Sequence, residues 1–173
     1  MIEETAIKGL WWIKKEKFDD ERGFFREVFR MDELTEKLGF EFRPVQMNHS
    51  KSEPRVIRGL HAENWNKLVY PVTGKMTGII VDIRPESPTF GKTEKCEFDA
   101  REPKALFISK GLANSICVTG EEAVNYIYLV DAYYDGKDTR AVAWDDPDLA
   151  IEWPITEPVI SERDKTNPRL RSE

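Results

Sequence analysis

The sequence predicts an all-β protein, an antiparallel sandwich or barrel with few helices, on two observations. Short apolar runs rich in β-branched and aromatic residues recur at 23–29, 67–72, 79–83, 105–108, 116–119 and 124–130. Turn and breaker residues separate these runs, as in Thr73-Gly74-Lys75 and in the segment from Pro85 to Pro88. A fold of βαβ units would need helices between the strands, and the sequence offers only one good helix.

That helix is predicted in segment 32–39. Asp32 can cap its N-terminus, Leu34 and Leu38 share one face, and Gly39 can close its C-terminus. The polar segment 161–168 is predicted from composition alone to be a solvated tail.

Length and composition limit the possible functions. The 173 residues fit one domain spanning 1–173. A net charge of −6 argues against a nucleic-acid partner, although a few local arginines can still bind a small anion. No run approaches a membrane span and the first residues form no signal peptide, so we expect a cytoplasmic protein without a membrane partner. Cys96 and Cys117 are far apart, which predicts two reduced, partly buried thiols.

His61 is the first candidate for chemistry. Histidine occurs only at 49 and 61, and His61 lies between Arg58 and Lys67, close to Trp65. Cationic neighbours favour the neutral imidazole, which can accept a proton. The residues alone favour the alternative, a structural histidine. A metal site needs three or more local ligands, and none of that spacing is present, so we expect no metal.

Tyrosines are the second candidates. Tyr126 and Tyr128 lie on the same face of a predicted strand, and Tyr133 and Tyr134 follow in a loop. On a barrel, such a hydroxyl can reach a central cavity as a proton donor. The alternative is that these residues are core or interface aromatics. The sequence contains no GxGxxG, Walker A or GxSxG motif.

Several motifs, taken in order, resemble the dTDP-4-dehydrorhamnose 3,5-epimerase family over nearly the whole chain. Each motif is modest by itself, but the ordered set is specific. The motifs are 18–27 (FDDERGFFRE), 46–52 (QMNHSKS), 56–61 (VIRGLH), 81–91 (VDIRPESPTFG), 144–147 (WDDP), 151–154 (IEWP) and 161–164 (SERD).

The resemblance implies a cupin jelly roll (double-stranded β-helix) with a few short helices. It also implies a homodimer, a nucleotide-linked 4-keto sugar as substrate, and no metal or organic cofactor. By position, His61 corresponds to the general base, Asp164 to the acid that orients it, Tyr128 to the general acid and Lys67 to the lysine at the keto oxygen. The positions implied to hold substrate, in some cases across the dimer interface, are Arg22, Glu27, Gln46, Asn48, Arg58, Asn114, Tyr134 and Arg163.

Three positions depart from the family pattern. Asn114 replaces a second active-site histidine, Gly78 replaces an acidic residue that often faces it, and Glu63 replaces a glutamine. Asparagine can still hydrogen-bond a sugar hydroxyl or keto oxygen, but it cannot titrate. The departures leave open which centres are inverted and which sugar is used.

The leading hypothesis is an epimerase that inverts C3 and C5 of dTDP-4-dehydro-6-deoxy-D-glucose, giving dTDP-4-dehydro-L-rhamnose. One alternative inverts a single centre of another nucleotide sugar, linked to GDP or UDP. A sugar-nucleotide ketoisomerase and a non-catalytic sugar-nucleotide-binding cupin are further alternatives. The last predicts loss of the acid–base residues, whereas His61, Tyr128, Lys67 and Asp164 are all present.

Overall fold

The computed structural model of the chain describes residues 1–136 and 139–171. Across these residues the fold is the predicted cupin jelly roll with short helices. In chain order its elements are β1 Ile2–Glu4, β2 Leu10–Lys14, β3 Lys17–Asp20, β4 Gly23–Arg26, α1 Met31–Leu38, β5 Gln46–Ser52, β6 Val56–Glu63, β7 Lys67–Thr73, β8 Lys75–Asp82, β9 Thr93–Asp99, β10 Lys104–Ile108, β11 Leu112–Val118, β12 Val124–Val130, β13 Thr139–Ala141, β14 Val159–Ile160 and α2 Glu162–Lys165.

Two facing sheets form the sandwich. The first sheet has the order β1-β2-β10-β7-β12-β5, and the second has the order β13-β6-β11-β8-β9 with β14 beside β6. Strands β3 and β4 form a separate hairpin. Only the β14–β6 pair is parallel among the paired strands that the structure describes. The predicted turn at 73–75 joins β7 to β8, and the predicted breaker at 85–88 lies between β8 and β9.

The core lies between the sheets, and each sheet also buries part of its outer face. Strand β10 shows the principle, because Leu106 and Ile108 pack between the sheets while Ala105 and Phe107 pack against α1 on the outside. A strand buried on both faces needs a continuous apolar run rather than an alternating one. This requirement explains why 105–108 reads as an uninterrupted apolar segment.

Helix α1 confirms one predicted boundary and corrects the other. Gly39 is left-handed (φ 76°) and donates its N–H to the Thr35 carbonyl at 3.0 Å, as expected of a C-terminal glycine. The predicted N-cap at Asp32 was wrong, because Arg30 occupies that position and Asp32 lies in the first turn. An acidic side chain in the first turn interacts favourably with the positive N-terminal end of the helix dipole, although it is not the cap.

The predicted solvated tail at 161–168 was also wrong. Residues 162–165 form α2, and the Asp164 side chain is only 5% exposed. The Ser161 hydroxyl accepts the Asp164 backbone N–H at 3.1 Å and caps this short helix. Cys96 and Cys117 are free, as predicted, and they are fully rather than partly buried. Among the described residues, no helix is long and apolar enough to cross a bilayer.

Candidate active site

A cavity of about 520 Å³ opens between the two sheets, and a smaller one of about 230 Å³ adjoins it. Strands β6 and β11 of the second sheet line one side, strands β7 and β12 of the first sheet line the other, and α2 lies at the mouth. Most of the predicted site residues meet here. The main cavity is lined by His61, Lys67, Tyr128, Asp164, Arg58, Asn114 and Arg163, and the smaller one by Gln46, Asn48, Tyr134, His61, Tyr128 and Arg163.

His61 and Asp164 form a hydrogen-bonded pair although they are 103 residues apart. His61 Nε2 lies 2.6 Å from Asp164 Oδ1, and the Gly59 backbone N–H donates to Asp164 Oδ2 at 3.2 Å. The pairing of β14 with β6 brings α2 beside His61. With a carboxylate on Nε2, that nitrogen carries the proton, and Nδ1 is left to accept a proton from a substrate.

Asp164 remains a carboxylate at neutral pH despite its burial. Burial by itself raises the pKa of a carboxyl group, but hydrogen bonds from His61 and the Gly59 N–H outweigh that effect and lower the pKa of Asp164 below its usual range. An ionised carboxylate stabilises the imidazolium that forms when His61 takes up a proton.

Tyr126 and Tyr128 project from β12 in the opposite sheet. Their rings stack with centroids 5.9 Å apart, and the Lys67 ammonium lies 5.1 Å from the centroid of the Tyr128 ring. Burial raises the pKa of Tyr128, and the negative charge of Glu63 raises it further. Tyr128 therefore keeps its proton at neutral pH and is available as a donor.

Lys67 lies in a network with Glu63 and Asn114. Its ammonium donates to Glu63 Oε1 at 2.9 Å and to Asn114 Oδ1 at 3.2 Å. Asn114 Nδ2 donates to the His61 carbonyl at 2.8 Å and to Glu63 Oε2 at 3.1 Å. Strand pairing produces this arrangement, because Asn114 on β11 lies opposite His61 on β6. Gly78 is two residues from Ile80, the partner of Asn114 on β8, and brings no side chain to the network.

The remaining lining residues suit a phosphorylated ligand. Arg58 and Arg163 bring two guanidinium groups to the main cavity, and guanidinium groups bind phosphate oxygens in a bidentate manner. Arg58 is held by the Ser52 hydroxyl at 2.9 Å. In the smaller cavity, Gln46 Nε2 donates to Asn48 Oδ1 at 2.8 Å.

Arg22 and Glu27 do not reach either cavity of the single chain. Arg22 lies at the tip of the β3–β4 hairpin, 84% exposed, and pairs with Asp20 at 2.5 Å. Glu27 follows the hairpin and pairs with Lys15 at 3.1 Å. Their substrate-binding role stays a prediction.

Sequence reasoning did not select every lining residue. Ser50 lines the main cavity and was not selected, whereas Tyr126, Trp65 and Glu63, which the sequence analysis did mention, line the cavities as well. A signal for Ser50 was present, because Gln46, Asn48 and Ser50 alternate along β5 and alternate residues face the same side of a strand. Trp65 packs edge-on against Tyr134 with ring centroids 6.0 Å apart.

Within residues 1–136 and 139–171, no cluster of three His, Cys, Asp or Glu side chains is placed to hold a metal ion.

Sequence comparisons match nearly the whole chain to one family of known proteins. A family model described as dTDP-4-dehydrorhamnose 3,5-epimerase matches residues 4–172. An enzyme of that name from Shigella flexneri is 37% identical over 165 residues, 93% of this chain and 91% of the relative. A dTDP-4-dehydrorhamnose 3-epimerase of Streptomyces niveus is 34% identical over 168 residues, 95% and 81% of the two chains.

A solved structure extends the similarity to three dimensions. It is the dTDP-6-deoxy-D-glucose-3,5-epimerase of Legionella pneumophila Philadelphia 1 in complex with dTDP-4-keto-L-rhamnose. Its TM-score is 0.91 at 34% identity, and the match covers 98% of this chain and 92% of the other.

Proposed function

We propose that this chain, which belongs to the dTDP-4-dehydrorhamnose 3,5-epimerase family, inverts the carbons beside the ketone of dTDP-4-dehydro-6-deoxy-D-glucose. The product is dTDP-4-dehydro-L-rhamnose. Membership in this family makes the protein an isomerase. The ligand in the Legionella pneumophila complex, dTDP-4-keto-L-rhamnose, supports this choice of substrate.

The observation that carries the proposal is the placement of a base and an acid on opposite sheets around one cavity. The His61–Asp164 pair belongs to the second sheet and α2, and Tyr128 belongs to the first sheet. Inversion requires a proton to leave one face of the sugar ring and another to arrive on the opposite face. Two groups on opposite walls suit this chemistry, whereas a binding protein has no need of them.

The proposed mechanism starts from the acidity that the C4 ketone gives to its neighbouring C–H bonds. His61 Nδ1 takes the proton, and the electron pair of the C–H bond moves into an enolate. Lys67 supplies positive charge to the enolate oxygen, and Asp164 stabilises the imidazolium. Tyr128 then protonates the carbon from the other face. Each positioned acid or base typically contributes about 10²–10⁴ in rate.

Arg22 and Glu27 lead us to propose a homodimer. The β3–β4 hairpin exposes three aromatic side chains, Phe18, Phe24 and Phe25, the last of them 72% exposed. Exposed apolar side chains on a projecting hairpin are typical of an interface. A second copy that covers the hairpin would also bring Arg22 to its neighbour's cavity, where it would add positive charge for the diphosphate.

A second candidate is inversion at C3 only. The Streptomyces niveus relative carries the name of a 3-epimerase. The family resemblance also implies that Asn114 stands where many members have a histidine, and asparagine cannot titrate. We place the protein in the cytoplasm in either case, because a nucleoside diphosphate sugar is charged and does not cross a lipid bilayer unaided.

Proton NMR of the keto sugar nucleotide with enzyme in D₂O tests the proposal. Deuterium at C3 and C5 is expected, and deuterium at C3 alone would select the second candidate. His61→Ala should lower exchange at both carbons by at least about 10²-fold, because it removes the proposed base. Exchange by His61→Ala at the wild-type rate would remove His61 from the role. No exchange with dTDP-, GDP- or UDP-linked 4-keto sugars would overturn the function.

A further inference from the structure

The amide of Asn114 has no donor left for a ligand. It has two N–H groups, and they are given to the His61 carbonyl and to Glu63 Oε2, at 2.8 and 3.1 Å. Its oxygen accepts from Lys67 at 3.2 Å. A keto or enolate oxygen only accepts hydrogen bonds. Asn114 therefore cannot serve that oxygen while these bonds hold.

Lys67, in contrast, has one donor to spare. An ammonium group has three N–H donors, and Glu63 Oε1 and Asn114 Oδ1 take two of them. The side chains of Lys67 and Glu63 are only 9% and 14% exposed, so little water competes for them. The direction of the remaining N–H is fixed by the two bonds already made.

We propose that Glu63 and Asn114 are positioning residues that together hold the Lys67 ammonium so that its third N–H meets the C4 oxygen of the keto sugar. The inference rests on the proposed function. It gives one shared role to Glu63 and Asn114, two of the positions that depart from the family pattern. Glu63 supplies the counter-charge for Lys67, and Asn114 connects the Lys67–Glu63 ion pair to the His61 carbonyl on β6. Lys67 alone then contacts the oxygen on which negative charge develops.

The arrangement predicts that Glu63 acts only through its neighbours. Glu63→Gln keeps the shape but removes the counter-charge, so Lys67 is left desolvated and free to move. A displacement of about 1 Å at a reacting group costs up to about 100-fold in rate. Once Lys67 is absent, Glu63 and Asn114 have nothing to position, and their removal should change the rate little.

Glu63→Gln should also change the pH profile through Tyr128. The groups that face this tyrosine are Tyr126 on its own strand, Glu63 and Arg58 on β6, Lys67 on β7 and Tyr134 in the following loop. Glu63 is one of the charges that raise the pKa of Tyr128. Removing the charge of Glu63 lowers the pKa of Tyr128, so Tyr128 loses its proton at a lower pH. The alkaline fall in the pH–rate profile should therefore begin at a lower pH than in the wild type.

The experiment compares Glu63→Gln, Asn114→Ala and Lys67→Met, alone and combined, by the rate of deuterium incorporation and by melting temperature. Each single variant should lose about 10-fold or more in kcat, with KM changed far less. Adding Glu63→Gln or Asn114→Ala to Lys67→Met should lower kcat by less than about twofold further. Glu97→Gln removes the same charge from an exposed site and should leave both rate and pH profile unchanged.

The melting temperatures test the network without substrate. Each charge variant leaves its partner buried and uncompensated, so Glu63→Gln with Lys67→Met should lose less than the sum of the single losses. Additive losses would overturn the network. If the loss in log kcat of the Glu63→Gln, Lys67→Met double variant equals the sum of the two single losses, the positioning role is overturned. Glu63 would then contact the sugar itself. If the wild-type protein catalyses no deuterium exchange, the proposed function is overturned instead. The melting temperatures then still test whether Glu63, Asn114 and Lys67 form a network.

Discussion

Tyr128 decides the stereochemical outcome at the scale of single residues. Tyr128→Phe removes the proposed donor and leaves the His61–Asp164 pair intact. Deprotonation should therefore continue while inversion falls by about 10²-fold or more. The measurement is the ratio of deuterium exchange with retention to exchange with inversion, followed by NMR on the keto sugar nucleotide.

Tyr126→Phe is the matched control for this prediction, because Tyr126 stacks on Tyr128 in the same cavity and carries the same hydroxyl. It should invert at close to the wild-type rate. Inversion by Tyr128→Phe at the wild-type rate, or a larger loss in Tyr126→Phe, would move the acid assignment away from Tyr128.

The raised pKa of Tyr128 sets the sign of its pH dependence. The acid works in its protonated form, and burial keeps it protonated above the usual pKa of 10.0. The rate of inversion should fall on the alkaline side only above that value, and Tyr128→Phe should lack this limb.

At the scale of elements, the approach of β6 to β11 depends on Gly59. Its φ is 125°, and a Cβ atom there would lie 2.7 Å from both the Asn114 carbonyl oxygen and Ser115 Cβ. Gly59→Ala should thus cost more than about 4 kcal/mol of stability, because backbone cannot yield as a flexible side chain can. Urea unfolding measures this loss, and the exchange rate of the folded variant reports whether Asp164 still supports His61.

Gly23→Ala is the control that distinguishes the steric clash at residue 59 from the cost of backbone strain alone. Gly23 also has a positive φ, 128°, but no atom lies within 4 Å of its virtual Cβ. Its replacement should cost about 1–3 kcal/mol. Equal losses at both positions would show that strain alone, and not the contact with β11, restricts residue 59.

The strands could be predicted from the sequence because each apolar run is a local signal. Segment 124–130 coincides with β12, and 105–108 falls within β10. The helix start could not be placed from Asp32, because the cap is Arg30, whose side chain makes no capping hydrogen bond and so leaves no recognisable capping signal in the sequence.

The candidate site was harder to predict because its contacts are distant in sequence. Asp164 comes from a segment whose composition is that of a solvated tail, and only the position of its motif indicated a role. The bonds among Glu63, Lys67 and Asn114 depend on the pairing of β6 with β11. No local pattern in the sequence encodes that pairing.

At the scale of the whole molecule, the separation of Arg22 from the cavity predicts that active sites are shared between copies. Arg22→Ala should weaken substrate binding, and His61→Ala should abolish exchange. If each hairpin serves its neighbour, a heterodimer of these two variants contains one complete site, with its cavity from one copy and its hairpin from the other. Co-refolding the two impaired variants at equal concentration should then restore about a quarter of wild-type sites. Either variant refolded alone is the control. Differential tags on the two variants would demonstrate that heterodimers form. If the mixture then recovers no activity, either Arg22 and His61 act in the same chain's site or Arg22 is not part of the site.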